Sequence, residues 1–307
     1  MRLPLRYLSL VIVVAAALAS VAAAPQEGQP AGATVASADC LACHETAFTN
    51  AFKHSKHAGV AESCGACHSG AADHSKAMME GNTDAPKPSV KDLKAADLNQ
   101  TCLGCHEKAN QAAWTGGAHE RRGLACTECH GVHDYKSAKG QLKTVGDAEG
   151  CYSCHSNIRA LTLRTSHHPI REGLLTCGSC HNPHDGTRPK MINADWTNEL
   201  CLKCHTEKRG PFLWEHLPVR ENCLSCHNPH GSNHDKLLVA KQPYLCQRCH
   251  LNTRHPGTFY DGRVAGNPNP GVSPINTASN RATEHACKNC HQYVHGGNAP
   301  SGPYLGR

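Results

Sequence analysis

Cysteine and histidine recur in this chain in one arrangement, Cys-x-x-Cys-His. It occurs ten times: at Cys40, Cys43 and His44; Cys64, Cys67 and His68; Cys102, Cys105 and His106; Cys126, Cys129 and His130; Cys151, Cys154 and His155; Cys177, Cys180 and His181; Cys201, Cys204 and His205; Cys223, Cys226 and His227; Cys246, Cys249 and His250; and Cys287, Cys290 and His291. These copies use all 20 cysteines of the 307 residues, so none remains for a disulfide, a free nucleophile or a zinc ribbon. Two thiols at this spacing can form thioethers to one porphyrin while the adjoining imidazole ligates its iron, which is the attachment signature of c-type haem. A single copy would be shared with redox dithiols and zinc sites. Ten copies, each ending in histidine, set those readings aside. The expectation is ten covalent haems c, with the ten motif histidines as proximal ligands.

Each iron then has a sixth position to fill. Of the 24 histidines, fourteen lie outside the motifs, whereas beyond Met1 the methionines are Met78, Met79 and Met191 alone. Supply therefore points to histidine. Position along the chain selects His57, His119, His167 and His216, which precede a motif, and His74, His133, His184, His230 and His295, which follow one. The tenth is His255 or His285. His168 adjoins His167, so that choice is open too, and His54 and His234 are left as neighbours. Methionine ligation raises haem potential, so all-histidine ligation implies a low-potential chain. Multihaem enzymes need an open iron, often with Lys in place of the motif His. Ten His-terminated motifs with histidines to spare argue instead for electron transfer without catalysis.

The elements that must position these groups repeat in pairs. Residues 167–184 and 216–230 carry one sentence twice: His-x-Pro-x-Arg-Glu, a motif, then Asn-Pro-His. Motif starts within successive pairs lie 24, 24, 26, 22 and 41 residues apart, a tandem array of two-haem modules. Two intervals break the rhythm, 69–101 and 251–286, and read as surface excursions, with a partner's contact surface at one end of the haem row as the alternative. Short helices are expected between haems, for example over Asp97–Lys108 and Asn198–Lys208, and no alternating run would build a sheet. Aromatic residues make up 5% of the chain while Gly and Pro number 27 and 18. Such a chain buries too little apolar surface to offset its conformational entropy, and ten porphyrins would supply the missing core. The fold class is thus mainly α with much coil: an elongated multihaem cytochrome c of two-haem modules whose apo-chain is largely unfolded.

Residues 1–23 read as a secretory signal peptide, with Arg2 and Arg6, an apolar run from Leu8 to Leu18, and an Ala-rich cleavage region. Export fits, because covalent haem c is attached outside the cytoplasm. Residues 24–38 form a flexible linker, and 39–307 the decahaem domain. No later stretch is apolar for the roughly 20 residues a spanning helix needs. Formal charge is +6. Nucleic-acid binding does not follow, because the twenty propionates of ten haems would carry the mature chain to about −16 if all ionise, so its basic groups serve as propionate partners and solvated surface.

Several strings go beyond the motif: 177–186, Lys208 to His216, Asn228 to His234, Arg254 to Asp261, and the tail His295-Gly296-Gly297-Asn298-Ala299-Pro300-Ser301-Gly302. In these the chain resembles the periplasmic decahaem cytochromes of the MtrA/DmsE/MtoA type, over about residues 39–307. Gly297 stands where the family would lead one to expect Ser. The resemblance favours His255 as tenth ligand. It implies a periplasmic protein associated with the outer membrane and sheathed by a β-barrel porin. It also implies electron exchange between periplasmic or inner-membrane cytochromes and an extracellular multihaem cytochrome, metal oxide or Fe(II). A haem row with propionates and irregular backbone can cross lipid only inside a closed barrel. A soluble periplasmic carrier without a barrel is the alternative.

Overall fold

The motif is itself a turn. Its histidine N–H donates to the carbonyl of its first cysteine, at 3.0 Å in His106→Cys102 and 2.9 Å in His181→Cys177, so both thiols emerge from one helical turn. The computed structural model describes residues 37–59, 64–108, 111–250 and 286–306. The leader, most of the linker, and 251–285 with His255 and His285 lie outside the described residues.

Within every module the two motifs sit on different supports. The first cysteine of the first motif lies in a short helix: Ser37–Leu41, Ala95–Leu103, Asp147–Tyr152, Thr197–Leu202 and Tyr244–Gln247. The second motif makes one turn of its own, at Cys64–Ala66, Cys126–Cys129, Cys177–Ser179, Cys223–Ser225 and Cys287–Asn289. Helix and turn pack together in the modules starting at Cys102, Cys151 and Cys201. At four to nine residues these helices are too short to persist alone, so their stability must come from what they pack against.

The helices expected over Asp97–Lys108 and Asn198–Lys208 are present but shorter. The first ends at Leu103; the second ends at Leu202, with a separate 3-10 turn at Thr206–Lys208. The break falls at the motif histidine, where His205 leaves helical geometry at φ −91°, ψ 53°. Among the described residues there is no strand, only isolated bridges.

An asparagine joins helix to turn in two modules, and the first of the two, Asn99, is buried. Asn99 donates to Leu124 O at 2.9 Å and accepts from Cys126 N at 2.7 Å. Asn198 donates to Val219 O and Arg220 O, both at 2.9 Å, and accepts from Cys223 N at 2.8 Å. Sequence reasoning missed this pair. Their shared place, three residues before the first cysteine, is the signal that could have found them.

The polypeptide core is small, as the composition foretells. Its buried apolar side chains among the described residues are Ala85, Trp114, Ala125, Tyr152, Ala194 and Leu305, and Thr162 is the one large side chain less than 2% exposed. Large apolar groups meanwhile stand open, with Trp196, Leu174 and Val145 at 68, 76 and 80%. Two units are distinguished: residues 1–44 with 61–89, and residues 45–60 with 90–307. Among the described residues no helix is long and apolar enough to cross a membrane.

Candidate haem centres

Eight motif histidines each face one histidine from elsewhere in the chain. Ring centroids are 6.3 Å apart in His44–His74, 6.0 Å in His57–His106, 6.3 Å in His119–His155 and 5.8 Å in His130–His184. They are 6.3 Å apart in His168–His205, 6.1 Å in His181–His230, and 6.2 Å in both His216–His250 and His227–His295. Metal–imidazole bonds of about 2.0 Å on both sides would place trans ring centroids about 6.3 Å apart. The donor sets therefore fit a haem iron between each pair.

The pairing follows a rule. A histidine preceding a motif faces not its own module but the first motif of the next: His57 to His106, His119 to His155, His168 to His205, His216 to His250. A histidine following a module faces back to the second motif of the module before: His184 to His130, His230 to His181, His295 to His227. Adjacent modules thus exchange histidines. At the N-terminal end, where no earlier module exists, His74 turns to His44.

Local hydrogen bonds fix the tautomers. The Nδ1–H of His119 donates to Pro183 O at 3.0 Å, that of His168 to Pro229 O at 2.8 Å, and that of His216 to Val294 O at 3.1 Å. Each acceptor is the residue just before the histidine that the next module returns, so the two exchanged histidines are set by one contact. Backbone pairing supports it: Ser166 bridges Ser232, and Trp214 bridges Gly297. Second-motif histidines are held likewise: His68 on Pro88 O (2.9 Å), His130 on Gly140 O (2.6 Å), His181 on Lys190 O (2.9 Å), His227 on Lys236 O (2.8 Å) and His291 on Tyr304 O (2.7 Å). Donation from Nδ1 leaves Nε2 as the lone-pair nitrogen for iron. Burial first, then neighbouring rings, lowers the pKa of His184 and His230. Burial and the Lys208 ammonium bring His295 to about 4. All three are neutral at pH 7, as ligation requires.

One expected residue is displaced. The structure brings His168, not His167, to a motif histidine. His167 is engaged at both nitrogens, Nδ1 on Arg164 O at 2.6 Å and Nε2 on Glu172 Oε1 at 3.1 Å. Of the other expected residues, His133 packs on Phe52 at 5.5 Å. Of the residues set aside, His54 accepts through its carbonyl from the Tyr135 hydroxyl at 3.0 Å, and the His234 N–H donates to Ser232 Oγ, also at 3.0 Å.

The cysteines alternate in their contacts. Within each module the two first cysteines are hydrogen-bonding neighbours: Cys40–Cys64, Cys102–Cys126, Cys151–Cys177, Cys201–Cys223 and Cys246–Cys287. Between modules the last cysteine of one approaches both cysteines of the next motif: Cys129 nears Cys151 and Cys154, Cys180 nears Cys201 and Cys204, and Cys226 nears Cys246 and Cys249. Attachment points thus run in single file from Cys102 to Cys287.

The chain is 37% identical over 277 residues to the multiheme cytochrome MtrA of Shewanella baltica, an alignment that covers 87% of this chain and 80% of that one. It belongs to the MtrA-type multihaem cytochromes. The cytochrome also matches the doubled CXXCH motif family over residues 167–210 and 216–255, and the NrfB-like c-type cytochrome family over residues 64–145. A more distant relative is the high-molecular-weight cytochrome c of Nitratidesulfovibrio vulgaris, 25% identical over 52% of this chain and 27% of that protein. The protein therefore carries haem c and transfers electrons.

Proposed function

We propose that this cytochrome holds ten haems c, all bis-histidine ligated, and passes electrons along them across the outer membrane inside a β-barrel porin. Bound haem supplies a one-electron iron couple at each site. The polypeptide supplies paired thiols that fix each porphyrin's place and exchanged histidines that close the sixth positions. It also supplies backbone carbonyls that set ligand orientation. Closed coordination favours electron exchange over substrate turnover.

The observation that carries this reading is the serial cysteine contact, first to first within a module and from the last cysteine of one module to the first motif of the next. It gives every attachment point from Cys102 to Cys287 two neighbours at most, the connectivity of a relay. The porin and the periplasmic, outer-membrane location rest on the family resemblance and the secretory leader. Terminal partners would be a periplasmic or inner-membrane cytochrome on one side and an extracellular multihaem cytochrome, metal oxide or Fe(II) on the other. Residues 1–23 would be removed on export, leaving 24–38 as a tether. His133 and His255 complete the ligand set.

Two measurements test this. Denatured mature protein should retain ten haems by mass, and nine or fewer in fully matured protein would contradict the count. Joined to its porin in liposomes, the cytochrome should connect an enclosed redox dye to an outside acceptor. Discharge no faster than with porin alone would favour a soluble periplasmic carrier.

A further inference from the structure

Asn99 and Asn198 hold the same place in two modules, and each reaches out of its helix to the following motif. Both stand three residues before a first cysteine, in the helices Ala95–Leu103 and Thr197–Leu202. At that spacing a carboxamide and a thiol share one helix face. Asn99 and Cys102 thus meet Cys126 together, and Asn198 and Cys201 meet Cys223.

The contact is two-sided. Asn99 Oδ1 accepts the Cys126 N–H at 2.7 Å, while its Nδ2–H donates to Leu124 O at 2.9 Å. Asn198 Oδ1 accepts the Cys223 N–H at 2.8 Å, while its Nδ2 group donates to Val219 O and Arg220 O. The N–H groups of Cys126 and Cys223 open their helical turns and have no partner within them. Ala125, which caps the first of these turns, offers no side-chain acceptor. A carboxamide presents acceptor and donor on one planar group, whereas a carboxylate offers no donor. The middle module shows the difference: Asp147 Oδ2 accepts the Gly178 N–H at 3.2 Å, a one-sided tie. Three residues before the first cysteine that module has Ala148, and the end modules have Ser37 and Pro243.

We propose that Asn99 and Asn198 are positioning residues that set the spacing and tilt of the two haems within their modules. This rests on the ten-haem relay reading above, in which Cys102 and Cys126 carry different haems, as do Cys201 and Cys223. Each carboxamide ties the backbone of the second attachment point to the helix that bears the first. Asn99 and the intervening Ala125 are buried, so truncation would leave the Cys126 N–H and Leu124 O without partners, and the segment must shift to find others. Electron exchange between haems falls steeply with their separation. A pair tied in this way keeps one distance and therefore one rate.

The test compares full-length holoprotein carrying Asn99→Ala, Asn198→Ala or Asn198→Asp with the parent by Soret circular dichroism. Coupling between neighbouring porphyrins gives a two-signed band whose size follows their distance and angle. All three variants should keep ten haems by mass and low-spin spectra, yet each should lose part of that band. Asn198→Asp belongs with the alanine variants because it faces two carbonyls without a donor. Asn198 is only half-buried, so its variants give the answer even where Asn99→Ala fails to mature. A lowered melting temperature with an unchanged band would reduce the asparagines to supports of the fold and overturn the proposal. Nine haems in a variant would overturn it too, since the ties would then govern attachment instead of spacing. Fewer than ten haems in the parent would strike the relay reading beneath it.

Discussion

His168 donates its Nδ1–H to the carbonyl of Pro229, 61 residues further along, at 2.8 Å. That one bond turns a histidine of one module toward His205 of the next and fixes the backbone that presents His230 to His181. Adjacent modules hold each other's histidines in place, so neither completes its histidine pairs alone.

Replacing His168 with methionine should therefore give one methionine-ligated haem, visible as a ferric charge-transfer band and a raised potential. His167→Ala should leave every haem low-spin, because His167 is committed to Arg164 and Glu172. The opposite pattern would show that the neighbouring histidine is the ligand.

Gly231 should be intolerant of a side chain. At φ +148° its added Cβ would lie 1.9 Å from Leu161 O, inside the Ser166–Ser232 bridge. Gly231→Ala should cost about 3 kcal/mol or more and loosen the His168 and His230 ligands together. Gly173, at φ +73° with nothing within 4 Å of a Cβ, provides the comparison, where alanine should cost about 1 kcal/mol. Thermal melts read both, and equal melting temperatures would refute the close-approach argument.

What was legible in the sequence follows from the range of the interactions. Thioether attachment and proximal ligation are local to five residues, so all ten motifs could be read directly. The module rhythm and the thin apolar core were equally readable. The cross-module pairing of histidines was not, because similar spacings make a histidine's own module and its neighbour look alike; only backbone pairing such as Trp214 with Gly297 decides. The choice between His167 and His168 stayed open in the sequence for a related reason. Consecutive residues of an extended segment point to opposite sides, so the bridge at Ser166 selects one of two identical side chains. The left-handed turns whose carbonyls hold His181 and His227 carried no recognisable signal, since Lys190 and Lys236 stand where Gly140 marks the turn that holds His130.

With so little buried apolar side chain, polypeptide retained in the cytoplasm and lacking haem attachment should have weak helical circular dichroism and no cooperative melt. A sharp transition would show a core independent of the porphyrins.

The single-file arrangement is tested most directly by cutting it in the middle. Cys151→Ala with Cys154→Ala removes one attachment point between Cys129 and Cys177, leaving both flanking sets in place. In liposomes carrying the cytochrome with its porin, the variant with nine haems should discharge an enclosed dye no faster than porin alone. The haems on the donor side should still be reduced at the parent rate. Transmembrane discharge equal to that of the intact protein would contradict the account.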